Sequence, residues 1–168
     1  IKLTLVLAFL GGLAVVVPAL LGAAPPDPID AADVERELLN DINEQRTEQG
    51  LTPLVESPAA ARVAAEHSET MAREESATHD AGGTTTQARL NAIGCEVGSE
   101  NILQTRIDGG VRVDGGTVYA TNASETAALS MTIFRTSESH WQNINDQRWR
   151  TVGVGVSITD GDVWVTQV

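Results

Sequence analysis

Apolar and polar positions divide the chain into an uncharged opening stretch, several segments of helical period and a closing pair of strand period. Leu3 to Ala24 runs 22 residues without a charge, the length that spans a bilayer as a helix. Gly22-Ala23-Ala24 ends it with small residues that a signal peptidase accepts. Residues 1–24 are therefore expected to be a transmembrane anchor or a signal segment. Residues 25–30 read as a proline-stiffened linker, and residues 31–168 as the domain it delivers outside the cell.

Val34, Leu38, Leu39 and Ile42 repeat at helical spacing between Asp30, a capping residue, and Gly50, a stop; they predict a helix over 31–49. Ser57-Pro58 opens a second helix reaching about Glu74. Ala60, Ala64, His67 and Met71 share one face of it, so His67 is expected to be a core histidine satisfied by a neighbour. A loop from 74 to 83 carries His79 and leads into a helix over 84–93. Two Asp-Gly-Gly turns within residues 105–121 predict an inserted hairpin. Asn122 and Glu125 then resemble a capping box for a helix to about Arg135.

The segment from Ser137 to Asp146 reads as a polar loop that delivers His140. After it Val152, Val154 and Val156 alternate with Gly153, Gly155 and Ser157, the pattern of a strand with one packed face. Two glycines inside a strand imply that something approaches its backbone closely on that face. Asp160-Gly161 is a hairpin signal, and Asp162–Val168 is the returning strand. Trp141, Trp149 and Trp164 are expected to pack around these strands.

Charge narrows the class of partner. The net charge is −12, with 23 acidic against 11 basic residues, and only Lys2 is a lysine. Such a surface disfavours nucleic acid and anionic lipid and suits solubility in high salt. A haloarchaeal source is expected, with an ordinary acidic secreted protein as the alternative. Cys95 is the single cysteine; it forms no intrachain disulfide and is expected to act as a small hydrophobe.

Several runs together resemble one family. They are L-L-N-D-I-N-E-Q-R from 38 with G-L-T-P-L from 50, A-A-E-H-S-E-T-M-A from 64, and G-S-E-N-I from 98. S-E-S-H-W-Q-N-I-N from 137, R-T-V-G-V-G-V from 150 and V-W-V-T-Q-V from 163 complete the set. The chain resembles the CAP superfamily of cysteine-rich secretory, antigen 5 and pathogenesis-related proteins, in its prokaryotic SCP-like form. The resemblance implies an α+β fold, a three-layer α-β-α sandwich around a central, mainly antiparallel sheet. It also implies that His79, Glu100 and His140 meet in one cavity, with Thr78 where the family usually has Ser. A second acidic cavity residue, present in some members, is missing from Phe134-Arg135-Thr136-Ser137.

Two imidazoles and a carboxylate are enough to hold a divalent metal such as zinc with open positions. Without metal, a histidine oriented by a carboxylate is a general base. No cofactor is required on either count. The sequence holds no G-x-S-x-G elbow, H-E-x-x-H helix or phosphate-binding glycine loop. Three readings follow. One is an extracellular ligand- or partner-binding module, for a lipid or a protein, whose cavity is able to hold a metal. The others are a metal-assisted hydrolase using the same cavity and a purely structural cell-surface module. Membrane contact is expected through the N-terminal segment only.

Overall fold

Three helices begin at the predicted caps. The structure is a computed structural model that describes residues 28–108, 111–113 and 116–168; the expected anchor and most of the linker lie outside them. Asp30 caps α1 (Ala31–Glu48) by accepting from the Ala32 N–H at 2.9 Å. Ser57 caps α2 (Pro58–Glu74), with Pro58 at its first position. Asn122 caps α4 (Ala123–Thr136) and accepts from the Glu125 N–H at 2.9 Å, while Glu125 reaches back to the Thr121 N–H at 2.8 Å. Between α2 and α4, α3 (Thr86–Ala92) is capped by Thr85 and is shorter than its predicted span.

The central sheet joins β2 (Asn101–Arg106), β7 (Asp162–Gln167) and β6 (Val154–Thr159), all antiparallel, with β7 in the middle. Asp160 and Gly161 both take positive φ, as the tight turn between β6 and β7 requires. β1 (Val55–Glu56) pairs in parallel with β5 (Thr151–Val152).

The sheet's two faces pack against different partners. Leu103, Val154, Val156, Val163 and Val165 join Val34, Leu38 and Ile42 of α1 and Ala127, Met131 and Phe134 of α4 in one core. On the other face Ile102 and Trp164 meet Met71 of α2. A Cβ on Gly153 or Gly155 would stand 2.1 Å from the α2 backbone, at Ala60 and Ala65 respectively. The close approach expected from those glycines is therefore that of α2 lying directly on the strand. Helices on both faces of an antiparallel sheet make the three layers.

Three expectations need correction. Thr105 and Arg106 belong to β2 of the central sheet, so the hairpin is confined to β3 (Val111–Val113) and β4 (Gly116–Val118). The segment read as a polar His loop is largely a helix, α5 (Glu138–Ile144), capped by Ser137. Its single buried apolar residue, Ile144, gives too little periodicity to reveal it. The strand expected through Val152–Val156 is broken at Gly153, where the chain passes from β5 to β6.

Two α1 side chains set the turns that lead to β1 and β5. Asn43 brackets Leu54, donating to its carbonyl at 3.0 Å and accepting from its N–H at 2.7 Å. Arg46, fully buried, donates to the carbonyls of Thr52, Ile144 and Asp146.

Candidate functional site

Glu100 is the centre of the site. It stands just before β2 and is only 6 % exposed. An ionised carboxylate that deep needs several donors, and it has them. The Arg89 guanidinium donates to both oxygens, from Nη2 at 2.7 Å to each and from Nε at 3.1 Å to Oε2. Thr86 Oγ1 donates to Oε1 at 2.8 Å, and His79 Nδ1 lies 2.8 Å from the same oxygen. Thr86 and Arg89 are three apart on α3, so one helical face supplies both. Burial pushes the Glu100 carboxyl up, but the hydrogen bonds from Arg89, His79 and Thr86 outweigh it and hold the pKa below its ordinary value. The group is an anion.

His79 sits in the loop ahead of the short 3-10 helix Ala81–Gly83, with 48 % of its side chain exposed. Arg89 Nη2 also donates to the His79 carbonyl at 2.8 Å, and Nη1 donates to the carbonyl of Thr84. One arginine thus fixes both the carboxylate and the loop that carries the imidazole. With Nδ1 on Glu100, the ring has Nε2 left for chemistry.

His140 arrives on α5. Its ring meets Phe134 edge-on, with centroids 5.4 Å apart. Asn101, next to Glu100, places it: Asn101 Nδ2 donates to the His140 carbonyl at 3.1 Å and to Gln167 Oε1 at 2.7 Å. Asn143 Nδ2 in turn donates to Asn101 Oδ1 at 2.8 Å. The asparagine in E-N-I, the first asparagine after the S-x-S-H run and the terminal T-Q therefore form one clamp between β2, α5 and β7. Burial lowers the pKa of His140, and the nearby charge of His79 adds to the effect. Its Nδ1 is buried without a partner.

His67 is buried on α2, as its helical face predicts, but its satisfaction is incomplete. Nε2 lies 3.8 Å from Glu100 Oε1 with no hydrogen-bond partner. Burial lowers its pKa, opposed by the charge of Glu100 and reinforced by Arg89 and His79. It belongs beneath the site as a neutral wall. Sequence reasoning named His79, Glu100 and His140 but missed Thr86, Arg89, Asn101 and His67 as members. A T-x-x-R pair on one helical face was the available signal for the first two.

A metal ion is the group the resemblance implies here. Among the described residues, no group of three or more His, Cys, Asp or Glu side chains is placed to hold one. Glu100 does not fit as a ligand, because Arg89 occupies both oxygens with positive charge. It fits as the outer acceptor that fixes the His79 ring, which leaves His79 and His140 as the imidazoles available. Ser137 and Ser139 do not form a nucleophile pair with either histidine; Ser137 caps α5, and the two hydroxyls lie 3.1 Å from each other.

The model of the CAP (cysteine-rich secretory protein) family matches residues 39–168. Among solved structures, the chain is similar to an outer surface protein from Borrelia burgdorferi, with TM-score 0.63 and 18 % identity over 83 % of this chain and 93 % of that one. It is also similar to an extracellular protein containing a SCP domain from Bacillus anthracis, with TM-score 0.59 and 17 % identity over 88 % of this chain. A cysteine-rich secretory protein from Staphylococcus aureus gives TM-score 0.53 and 15 % identity over 85 % of this chain. The chain spans only 44 % and 40 % of those last two proteins. No curated protein matches it.

Proposed function

The chain belongs to the CAP, or cysteine-rich secretory protein, family, and from that premise we propose that it is an extracellular or cell-surface binding module. Its recognition point is the cavity of His79, Glu100 and His140. Two similar structures support the location: one is an outer surface protein and the other an extracellular protein. The uncharged stretch at Leu3–Ala24 suits export by a signal or attachment by an anchor. The acidic composition suits work in high salt, so stability is expected to rise with molar salt.

One observation carries the choice of cavity. A fully engaged buried carboxylate holds a half-exposed histidine at 2.8 Å, which keeps an imidazole in fixed orientation at the protein surface. A divalent ion such as zinc, where bound, would be held by His79 and His140, with Glu100 fixing the first ring and the remaining positions open to a ligand. Calorimetric zinc titration tests this. About one equivalent, lost in both His79→Ala and His140→Ala while the fold persists, is the expected result. Variants that only lose stability, with no zinc effect in the parent, would leave the third reading, a structural module.

The same 2.8 Å contact favours one second reading, in which His79 acts as a general base for hydrolysis. It requires activity lost in His79→Ala and strongly reduced in Glu100→Gln.

A further inference from the structure

A second cavity opens between the start of α2, α3 and the chain entering β5, and it reaches Ser99, next to Glu100, and Gln167, which accepts from Asn101. It encloses about 380 Å³, within the ~300–1,000 Å³ of small-molecule sites. Leu54, Leu90, Ile93, Val97 and Trp149 supply its apolar lining. Leu90 is buried, and Gly98 lies so close that a Cβ there would stand 3.0 Å from Leu90 Cδ2. Val97 is 66 % exposed at the cavity.

The charge at this cavity opposes that of the rest of the chain. On a molecule of net charge −12, Arg148 and Arg150 both line it. Arg46, buried nearby, has its pKa lowered first by burial and then by the positive charge of Arg150. Arg148 is committed, holding Asp146 at 2.6 Å and lying over the Trp149 ring at 5.0 Å. Arg150 is not: its Nη1 donates to the carbonyls of Gln147 and Trp149. Among the described residues no carboxylate pairs with it, and its Nε and Nη2 have no protein acceptor. A guanidinium with two adjacent donors to spare is the geometry that receives one carboxylate bidentately. By contrast, the cleft between α1 and α4 is about 220 Å³ and is lined by Asp41, Glu44 and Glu48 against one arginine, Arg135, which donates to Gln45; its carboxylates outnumber its cation and disfavour an anion.

We infer that this cavity binds a small monocarboxylate with a compact apolar body, seated on Leu90, Ile93 and Trp149 with its carboxylate on Arg150. The class follows from the pairing of one uncommitted guanidinium with an apolar enclosure. A dianionic phosphate would want more donors than Arg150 offers, and a purely apolar ligand would leave those donors unused. The inference does not rest on the His79 cavity reading.

Cys95 lines the same cavity, is half-buried, and is the single cysteine of the chain. Its alkylation therefore reports occupancy at one place. The experiment follows N-ethylmaleimide labelling of the full chain, at the lowest salt at which it stays folded, with phenylbutyrate, phenylbutanol or acetate added. Phenylbutyrate is expected to slow labelling in a saturable way, while the alcohol and acetate at equal concentration do not. Arg150→Gln, an exposed position, should raise the half-protecting phenylbutyrate concentration about tenfold, the scale of one lost charge-assisted contact. His79→Ala should leave it unchanged. Equal protection by phenylbutanol, protection unaltered in Arg150→Gln, or no protection by phenylbutyrate would each overturn the inference.

Discussion

The two faces of the central sheet solve the same packing problem differently. Toward α1 and α4 the contacts are apolar, with Val163, Val165 and Leu103 against Leu38, Ile42 and Phe134. Toward α2 the chain gives up side chains at Gly153 and Gly155, and polar groups share the layer with Met71, Ile102 and Trp164. Ser68 Oγ donates to the Gly155 carbonyl at 2.8 Å and lies 2.9 Å from Thr166 Oγ1. His67, one residue earlier, borders Glu100. An apolar layer tolerates rearrangement at modest cost as long as volume is kept. A layer of backbone contact and hydrogen bonds admits fewer arrangements, and the candidate site borders that layer.

The largest expected effect tests the backbone contact itself. Gly155→Ala places a methyl 2.1 Å from the Ala65 nitrogen, and backbone cannot move aside as a side chain does. The loss should exceed the ~1–3 kcal/mol usual for overpacking and consume most of the ~5–15 kcal/mol that holds a domain folded. Denaturant titration should show little or no folded baseline. A variant as stable as the parent would mean that α2 does not lie on this strand.

Arg89→Ala comes next, at about 3–5 kcal/mol, because it leaves Glu100 buried without its cation. Phe134→Ala on the opposite face should cost a similar ~3–5 kcal/mol through an apolar cavity. The two are separated by pH. Without Arg89 the burial of Glu100 loses its main opposition, so the carboxyl should titrate above its ordinary value. A carboxyl raised in the folded state destabilises increasingly as pH rises, so Arg89→Ala should be worse at pH 8 than at pH 4. The Phe134→Ala loss should change much less with pH, and only through His140, whose ring Phe134 meets edge-on. Urea midpoints at the two pH values decide it.

The parent's own pH profile sharpens the contrast. His67 and His140 have lowered pKa values when folded, so the unfolded chain takes up protons first. Their contribution is complete above about 6.5, the ordinary histidine value, and is lost as pH falls below it. Glu100 is also lowered when folded, so a second loss should begin below about 4.5 and continue down through its folded pKa. His140→Ala should reduce the first loss and leave the second. A single transition near pH 4 in the parent would mean that the two histidines are not buried as neutral rings.

What the sequence made legible follows from the same contrast. Helix caps are local, and Asp30, Ser57 and Asn122 act where their patterns place them. Close backbone approach also leaves a local sign, as at Gly153 and Gly155. The contact of His79 with Glu100 is non-local, and its expectation rests on resemblance rather than on periodicity. Arg89 was harder still. Its role depends on the depth of Glu100, eleven residues away, and charge on a short helix reads as solvated surface until burial is known. α5 was hidden because one buried residue in seven leaves no stripe.

The smallest expected effect isolates hydrogen bonding from packing on the α2 face. Ser68→Ala removes an oxygen that serves both the Gly155 carbonyl and Thr166. Stranding a buried acceptor costs about 1–3 kcal/mol, and the sheet bonds remaining to that strand place this site at the lower end. Adding Thr166→Val removes the other hydroxyl while keeping its shape, so the pair of changes should recover part of the loss rather than double it. Thermal unfolding of the two single variants and the double variant gives the coupling directly. Recovery would show that the polar layer sets position more than it adds stability. Simple additivity would mean that Ser68 and Thr166 act separately, and that the α2 face is held mainly by the contact at its glycines.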